Sequence, residues 1–135
     1  MKATICREAH FNACHRMHNP NWTEEKNTEV FGICSNKNYH GHNYRLVVKI
    51  TGEINPDTGF VMNLLTLGKI IKEEIEDRFD HKNLNLDCPE FQNTMVSTEN
   101  FGWIIHGLLK SKLPIDCILK VVLYETDKNF VEIEE

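Results

Sequence analysis

Residues 40–50 read His-Gly-His-Asn-Tyr-Arg-Leu-Val-Val-Lys-Ile and run into a predicted strand over residues 43–53. Side chains at positions i and i+2 of a strand share a face and lie about 6.5–7 Å apart along it, so His40 and His42 can lean onto one metal ion. The glycine between them lets the backbone pass close to a bound group. Cys34 lies six residues earlier in a polar loop. The stretch therefore predicts a metal site with a thiol nearby.

Three further strands are predicted from alternation along the chain. Residues 2–15 form the first strand, in which every second residue shares a face. Residues 117–125 alternate in the same way, and residues 130–133 return as a partner strand after a short polar turn. With the strand over residues 43–53, the chain therefore supplies two strands before its helices and two after them.

Two amphipathic helices are predicted between the strand pairs. Apolar residues recur at helical spacing over residues 64–79, with Asn63 or Thr66 as the capping residue. A second helix is predicted to start at Thr98 as its N-cap and to stop at Pro114. The order β-β-α-α-β-β predicts an α+β fold, in which the two helices cover one face of a four-stranded antiparallel sheet.

Composition predicts one soluble domain over residues 1–135. No apolar run approaches the ~20 residues of a membrane span, and the N-terminus lacks the apolar core of a signal peptide, so we expect a cytoplasmic protein without a membrane partner. The net charge of −5 argues against nucleic acid as a partner. The five cysteines form an odd set without regular spacing, which makes a disulfide framework unexpected.

The histidines are the candidate metal ligands. Three histidines with an open fourth position are one of the ligand sets of catalytic zinc, and His15, His40 and His42 would supply it. For the His-Gly-His pair the pattern favours metal binding over ordinary surface histidines. His15 fits a ligand and an ordinary core histidine equally well on spacing alone. The remaining histidines that we considered are assigned structural roles: His10, His18 and His106.

Cys34 has three possible roles on the sequence alone. It could close the metal site as a fourth ligand, act as a reactive thiolate beside an open site, or be an inert thiol. Asp80 and His81 could form a carboxylate-supported imidazole for proton transfer, although a histidine near a helix C-terminus is also favoured by the helix dipole. Spacing alone assigns no role to Glu99 or Glu125.

Taken together, these segments resemble the 6-pyruvoyl-tetrahydropterin synthase family, within the wider family that includes the 6-carboxy-tetrahydropterin synthases. The matching segments follow one another in family order over nearly the whole chain, which makes the resemblance specific. They are residues 11–16 (Phe-Asn-Ala-Cys-His-Arg), 31–34 (Phe-Gly-Ile-Cys), 40–44 (His-Gly-His-Asn-Tyr), 52–59 (Gly-Glu-Ile-Asn-Pro-Asp-Thr-Gly), 80–84 (Asp-His-Lys-Asn-Leu), 97–100 (Ser-Thr-Glu-Asn) and 124–126 (Tyr-Glu-Thr).

The resemblance implies the tunnelling fold, in which subunits of this topology join their sheets into a β-barrel. It also implies a homohexamer of two trimers that meet face to face, with active sites between subunits. Some members of the scattered site would then meet only across an interface.

The resemblance further implies the substrate 7,8-dihydroneopterin triphosphate and one zinc ion per subunit on His15, His40 and His42, acting as a Lewis acid. Cys34 would be the base that removes a proton. The residues that would tune or relay that proton are Asp80, His81 and Glu125. Those that would hold the pterin ring are Thr98 and Glu99. Triphosphate would leave to give 6-pyruvoyl-tetrahydropterin without an external reductant, with Mg²⁺ offsetting the phosphate charge.

Two alternatives remain open. A 6-carboxy-tetrahydropterin synthase of queuosine-precursor synthesis would act on the same substrate. Five residues separate Cys34 from the His-Gly-His pair, and this spacing resembles the pyruvoyl enzymes more than the shorter carboxy ones, whereas residues 37–39 (Lys-Asn-Tyr) depart from the Pro-Asn-Gly usual in the pyruvoyl enzymes. The other alternative is a non-catalytic zinc-stabilised module in which Cys34 closes the site.

Overall fold

The computed structural model describes residues 1–135 as an α+β fold with helices packed on a sheet. The sheet order is β3-β1-β2-β4-β5, and every neighbouring pair is antiparallel except β1 with β3. The strands are β1 (Lys2–His15), β2 (His40–Glu53), β3 (Lys82–Asn83), β4 (Ile118–Tyr124) and β5 (Phe130–Glu134). The predicted α+β class and the four antiparallel strands are confirmed.

The short parallel strand β3 corrects the predicted four-stranded sheet. We expected a loop over residues 82–96, after the first predicted helix, but His81 N donates to Asn12 O at 2.7 Å and Leu84 N donates to Cys14 O at 2.8 Å. These bonds hold Lys82–Asn83 beside β1. A two-residue strand has no periodicity of its own, so sequence alternation could not reveal it.

The two predicted long helices are present, with a local irregularity in the first, and a short helix lies between β1 and β2 in addition. They are α1 (Glu24–Phe31), α2 (Leu64–Ile71), α3 (Asp77–Phe79) and α4 (Thr98–Lys110). A π-helical turn over Lys72–Glu76 joins α2 to α3, so the predicted helix over residues 64–79 is continuous. A 3₁₀ turn, Gly32–Ser35, carries Cys34. No helix is long and apolar enough to span a membrane.

One predicted helix cap is correct and the other is wrong by one residue. The Asn63 side chain caps α2 by accepting a hydrogen bond from Leu65 N at 2.8 Å. Ser97, not Thr98, caps α4, because Ser97 Oγ accepts from Asn100 N at 3.2 Å. Thr98 is therefore the first helical residue, and its hydroxyl is available for a contact outside the helix.

The core lies between the helices and one face of the sheet. Alternate residues of β1 are buried towards the helices, from Ala9 through Phe11 and Ala13 to His15, as the period-two pattern predicts. Phe101 of α4 lies at the centre of an aromatic cluster. Its ring centroid is 5.0–5.8 Å from those of four neighbours, namely Phe11, Tyr44, Phe79 and Phe91.

We expect Phe101→Ala to lower the free energy of unfolding by about 3–5 kcal/mol, because it removes a fully buried ring from the centre of the core. Urea denaturation followed by circular dichroism measures the change. Trp103→Ala is the matched control, since Trp103 lies on the same helix but is about half exposed and its removal should cost much less. Equal losses in the two variants would contradict this description of the core.

Candidate metal centre

The ends of β1 and β2 bring three histidines together. His15 is the last residue of β1 and pairs directly with His40, the first residue of β2, while His42 pairs with Ala13 one step along the same face. The three ring centroids lie 4.6, 4.9 and 5.1 Å apart. Strand β2 begins at His40 instead of residue 43, so the His-Gly-His pair lies within the sheet and its geometry is set by the strand.

Glu125 adds a carboxylate to this group. It follows β4 directly, and one donor atom each from His15, His40, His42 and Glu125 lie within 4.8 Å of one another. Glu125 Oε1 is 2.9 Å from His42 Nε2, without the direction of a hydrogen bond. Glu125 Oε2 accepts a hydrogen bond from Thr98 Oγ1, which the first turn of α4 presents. Imidazole nitrogens and carboxylate oxygens are both ligand types that zinc binds in proteins.

The hydrogen bonding of the imidazoles fits a metal ion. Four buried ring nitrogens have no hydrogen-bond partner: His15 Nε2, His40 Nδ1, His40 Nε2 and His42 Nε2. Buried polar atoms are rarely left unpaired, so this concentration needs an explanation. His15 Nδ1 lies 2.9 Å from the carbonyl oxygen of Val96. Since a carbonyl only accepts, Nδ1 carries the proton and Nε2 presents its lone pair to the centre.

Burial lowers the pKa of two of these ligands, His15 and His42, and so favours their neutral forms. Desolvation lowers the pKa of His15 to about 4, and neighbouring His40 adds to this effect. Burial also lowers the pKa of His42, against the opposing charge of Glu125. A metal ion binds the unprotonated imidazole, so these histidines are ready to bind it at pH 7 with little competition from protons.

The same shift predicts a pH dependence for the metal-free protein. The unfolded state, with a histidine pKa near 6.5, binds more protons than the folded state, so stability falls as the pH drops from about 6.5 towards 4. We expect wild type to lose up to about 3 kcal/mol more than His15→Gln over this interval. Urea unfolding of both metal-free proteins at pH 7 and pH 4.5 measures the difference. Parallel losses would contradict it.

Cys34 and the two candidate pterin-binding residues lie beside the metal centre. A cavity of about 220 Å³ is lined by His15, Cys34, Thr98, Glu99 and Glu125, among others. Cys34 is half-buried in its 3₁₀ turn, and Met17 N donates to Cys34 O at 2.8 Å, which ties that turn to the end of β1. Cys34 is not one of the four clustered metal-ligand groups. The thiol is therefore placed beside the centre and not within it.

Asp80 and His81 do not line this cavity. His81 Nδ1 lies 2.9 Å from Asp80 Oδ2, so the two neighbours do form a pair, and Asp80 Oδ1 accepts from Asn12 N at 3.0 Å. That backbone hydrogen bond is the main reason why the pKa of Asp80 is lowered. The exposed His81 has a left-handed φ of 60° and lines a different cavity of about 520 Å³ with Cys14 and Gly41. One chain alone does not bring His81 to Cys34.

Two contacts of the site were absent from the sequence analysis. These are the Val96 carbonyl that orients His15 and the Thr98 hydroxyl that holds Glu125. Val96 is an apolar residue in a predicted loop, and its contribution comes from the backbone, so no residue pattern identifies it. Thr98 was expected to hold substrate, but its hydroxyl already has a protein partner.

Comparison with known proteins identifies relatives of the whole chain. A family model described as 6-pyruvoyl tetrahydropterin synthase matches residues 4–135. The 6-pyruvoyl tetrahydrobiopterin synthases of Pongo abelii and Homo sapiens are 45% and 44% identical over 130 residues, which cover 96% of this chain and 90% of each relative.

Solved structures give the same result. A Caenorhabditis elegans 6-pyruvoyl tetrahydropterin synthase structure superposes with a TM-score of 0.93 at 36% identity, covering 100% of this chain and 96% of that one. A Plasmodium vivax structure of the same description has a TM-score of 0.77 at 17% identity, covering 100% and 98%, and supports the fold alone. The chain thus has the tunnelling fold. From its sequence and structural relatives, this chain belongs to the 6-pyruvoyl tetrahydropterin synthase family, which is a family of lyases.

Proposed function

We propose that this protein converts 7,8-dihydroneopterin triphosphate to 6-pyruvoyl-tetrahydropterin with elimination of triphosphate, using one zinc ion per subunit. The observation that carries the proposal is the convergence of unpaired imidazole nitrogens on one point beside the Cys34 cavity. The names of the relatives support the pyruvoyl product.

His15, His40 and His42 would hold the zinc ion, which supplies Lewis-acid polarisation of the substrate side chain when bound. Cys34 removes a proton from that side chain as a thiolate, from a half-buried position beside the centre. Glu125, held by Thr98, adds a carboxylate beside these ligands that would take up or pass on the proton of the substrate side chain.

Glu99 is suited to bind the pterin ring. It lies exposed in the first turn of α4 and lines the same cavity as Cys34. Its two carboxylate oxygens match the paired N–H donors of the guanidine-like edge of a pterin, which gives both affinity and orientation. With Thr98 engaged by Glu125, Glu99 carries most of this recognition, and the backbone around Thr98 supplies the rest.

Asp80 and His81 act from a neighbouring subunit in this proposal. Their separation from Cys34 within one chain and the high exposure of His81 support a site completed between subunits of a homohexamer. Each His81 would then relay protons for the partner's reaction, with Asp80 accepting a hydrogen bond from its ring. Mg²⁺ would offset the charge of the triphosphate. Five free cysteines suit the reducing cytoplasm, where we place the protein.

The competing 6-carboxy-tetrahydropterin synthase activity would use the same metal centre and the same substrate. Mass analysis of the pterin formed by zinc-loaded protein with 7,8-dihydroneopterin triphosphate and Mg²⁺ separates the two. We expect a pyruvoyl side chain. A product with a carboxyl group, together with released acetaldehyde, would instead show the 6-carboxy-tetrahydropterin synthase activity of queuosine-precursor synthesis. Recovery of unchanged substrate would overturn both activities.

A non-catalytic zinc module is the least supported function. It would need Cys34 as the ligand that closes the site, whereas the Cys34 thiol is not among the clustered ligand groups. A purely structural site would also not require the cavity that Cys34, Glu99 and Glu125 line together.

A further inference from the structure

A second cavity next to the metal centre has a composition unlike the rest of this acidic protein. Its volume is about 550 Å³, and none of its thirteen lining residues is an aspartate or glutamate. The whole chain carries 20 acidic residues and a net charge of −5. Arg16 and His18 line the cavity together with asparagine, glutamine and threonine side chains. Its only formally charged group is therefore the Arg16 guanidinium, surrounded by hydrogen-bond donors.

Arg16 is held in place without being neutralised. Its N–H donates to Asn85 Oδ1 at 2.8 Å, its carbonyl accepts from Asn85 Nδ2 at 3.0 Å, and its Nε donates to Ser35 O at 2.7 Å. No carboxylate lies within ion-pair distance of it, whereas Arg45 and Arg78 are both paired with glutamates. The two terminal nitrogens have no hydrogen-bond partner within the chain, and Arg16 lines this cavity as well as a smaller one of about 190 Å³ with Glu24 and Lys37. A guanidinium with free terminal nitrogens binds phosphate well.

His18 supplies a second unsatisfied group. Its Nδ1 is buried and has no hydrogen-bond partner. The other unpaired ring nitrogens of the chain belong to the metal centre, where a metal ion explains them. His18 lies outside that cluster and lines the cavity of Arg16, so its ring gives this cavity a second hydrogen-bonding group. The structural role that the sequence predicted for His18 does not account for the unpaired nitrogen.

The position of the cavity connects it with the reaction. Arg16 follows His15 directly, so their Cα atoms are about 3.8 Å apart. Val96 lines the cavity, and its carbonyl contacts His15 Nδ1. Tyr39 lines it as well and precedes His40. The cavity therefore borders the metal centre through the neighbours of its ligands, Arg16 and Tyr39, and through Val96.

We propose that the Arg16–His18 cavity binds the polyphosphate tail of the substrate, with Arg16 as its main charged contact and His18 as a hydrogen-bond partner. This inference rests on the proposed function for the identity of the substrate. The ligand class is a triphosphate monoester, and the cavity acts by positioning the leaving group while the other end of the molecule lies at the metal centre.

Titration calorimetry of zinc-loaded protein with inorganic triphosphate tests the cavity directly. We expect Arg16→Gln to weaken binding about 10- to 100-fold, the usual effect of losing hydrogen bonds to a charged group. His18→Gln should weaken it less, and serves as the second variant if Arg16→Gln does not fold. Arg7→Gln is the matched control, because it removes the same charge about 30 Å away along β1 and should change binding little. Zinc content is measured after each titration, since triphosphate also chelates metal.

Binding of the phosphate-free compound 7,8-dihydroneopterin distinguishes contacts to the triphosphate tail from contacts to the pterin ring. Its affinity should be the same in wild type and Arg16→Gln, while the KM for 7,8-dihydroneopterin triphosphate rises. Unchanged triphosphate binding in both the Arg16 and His18 variants would overturn the proposal, and so would an equal loss for the phosphate-free compound. ATP should bind more weakly than the pterin triphosphate, and tighter binding of ATP would overturn the assignment to the pterin substrate.

The binding and turnover measurements together test the anion site and the proposed reaction independently of each other. Arg16-dependent binding of inorganic triphosphate without any turnover would support the anion site and refute the proposed reaction. Turnover with a KM that does not depend on Arg16 would support the reaction and refute the anion site.

Discussion

Replacing His42 by alanine is expected to remove zinc from the protein and turnover with it. His42 Nε2 is one of the unpaired buried nitrogens of the cluster, which contains two other imidazoles and one carboxylate. Loss of an outer partner of a metal ligand already costs 10- to 100-fold in affinity, so loss of the ligand itself should cost more than about 100-fold. Zinc analysis after dialysis and a turnover assay measure both effects.

His10→Ala is the matched control for this variant. His10 is exposed on the opposite face of β1 and lies outside the metal cluster, so its removal should leave one zinc ion per subunit and normal turnover. A His42→Ala protein that keeps a full equivalent of zinc through dialysis would show that the metal is held elsewhere.

Replacing Cys34 by alanine is expected to abolish turnover and leave the metal in place. The thiol lines the cavity beside the centre but is not part of the ligand cluster, so zinc content and thermal stability should be nearly those of wild type. Loss of a general base typically lowers the rate 10²- to 10⁴-fold. Single-turnover kinetics on zinc-replete protein measure that loss.

The comparison variant for Cys34→Ala is Cys6→Ala, because Cys6 is exposed on β1, far from the cavity. It should retain full activity. If Cys34→Ala retained full activity as well, another group would be the base. If it lost zinc, the thiol would be a ligand and the non-catalytic module would regain support.

The sequence could predict the histidine cluster because the cluster depends on strand periodicity. His40 and His42 are two residues apart, and His15 ends a strand whose buried face is evident from Ala9, Phe11 and Ala13. Only the family resemblance favoured His15 as a ligand, since nothing in the pattern gives the register that pairs it with His40.

Other parts of the site depend on contacts that no local pattern encodes. The bond between Thr98 and Glu125 joins positions 27 residues apart, and it exists because Ser97 takes the capping role that we assigned to Thr98. The sequence suggested Asp80 and His81 as a pair, and the two side chains are in contact. Their separation from Cys34 depends on the sheet order, which the sequence does not reveal. Their catalytic roles remain predictions.

X-ray absorption spectroscopy of the zinc-loaded protein without substrate tests the central claim most directly. We expect only nitrogen and oxygen scatterers at about 2.0–2.1 Å from the zinc ion, supplied by three imidazoles and a fourth light-atom ligand, with one zinc ion per subunit. A sulfur scatterer at about 2.3 Å would contradict it. That result would place Cys34 on the metal, closing the site that the proposed reaction requires to be open to substrate.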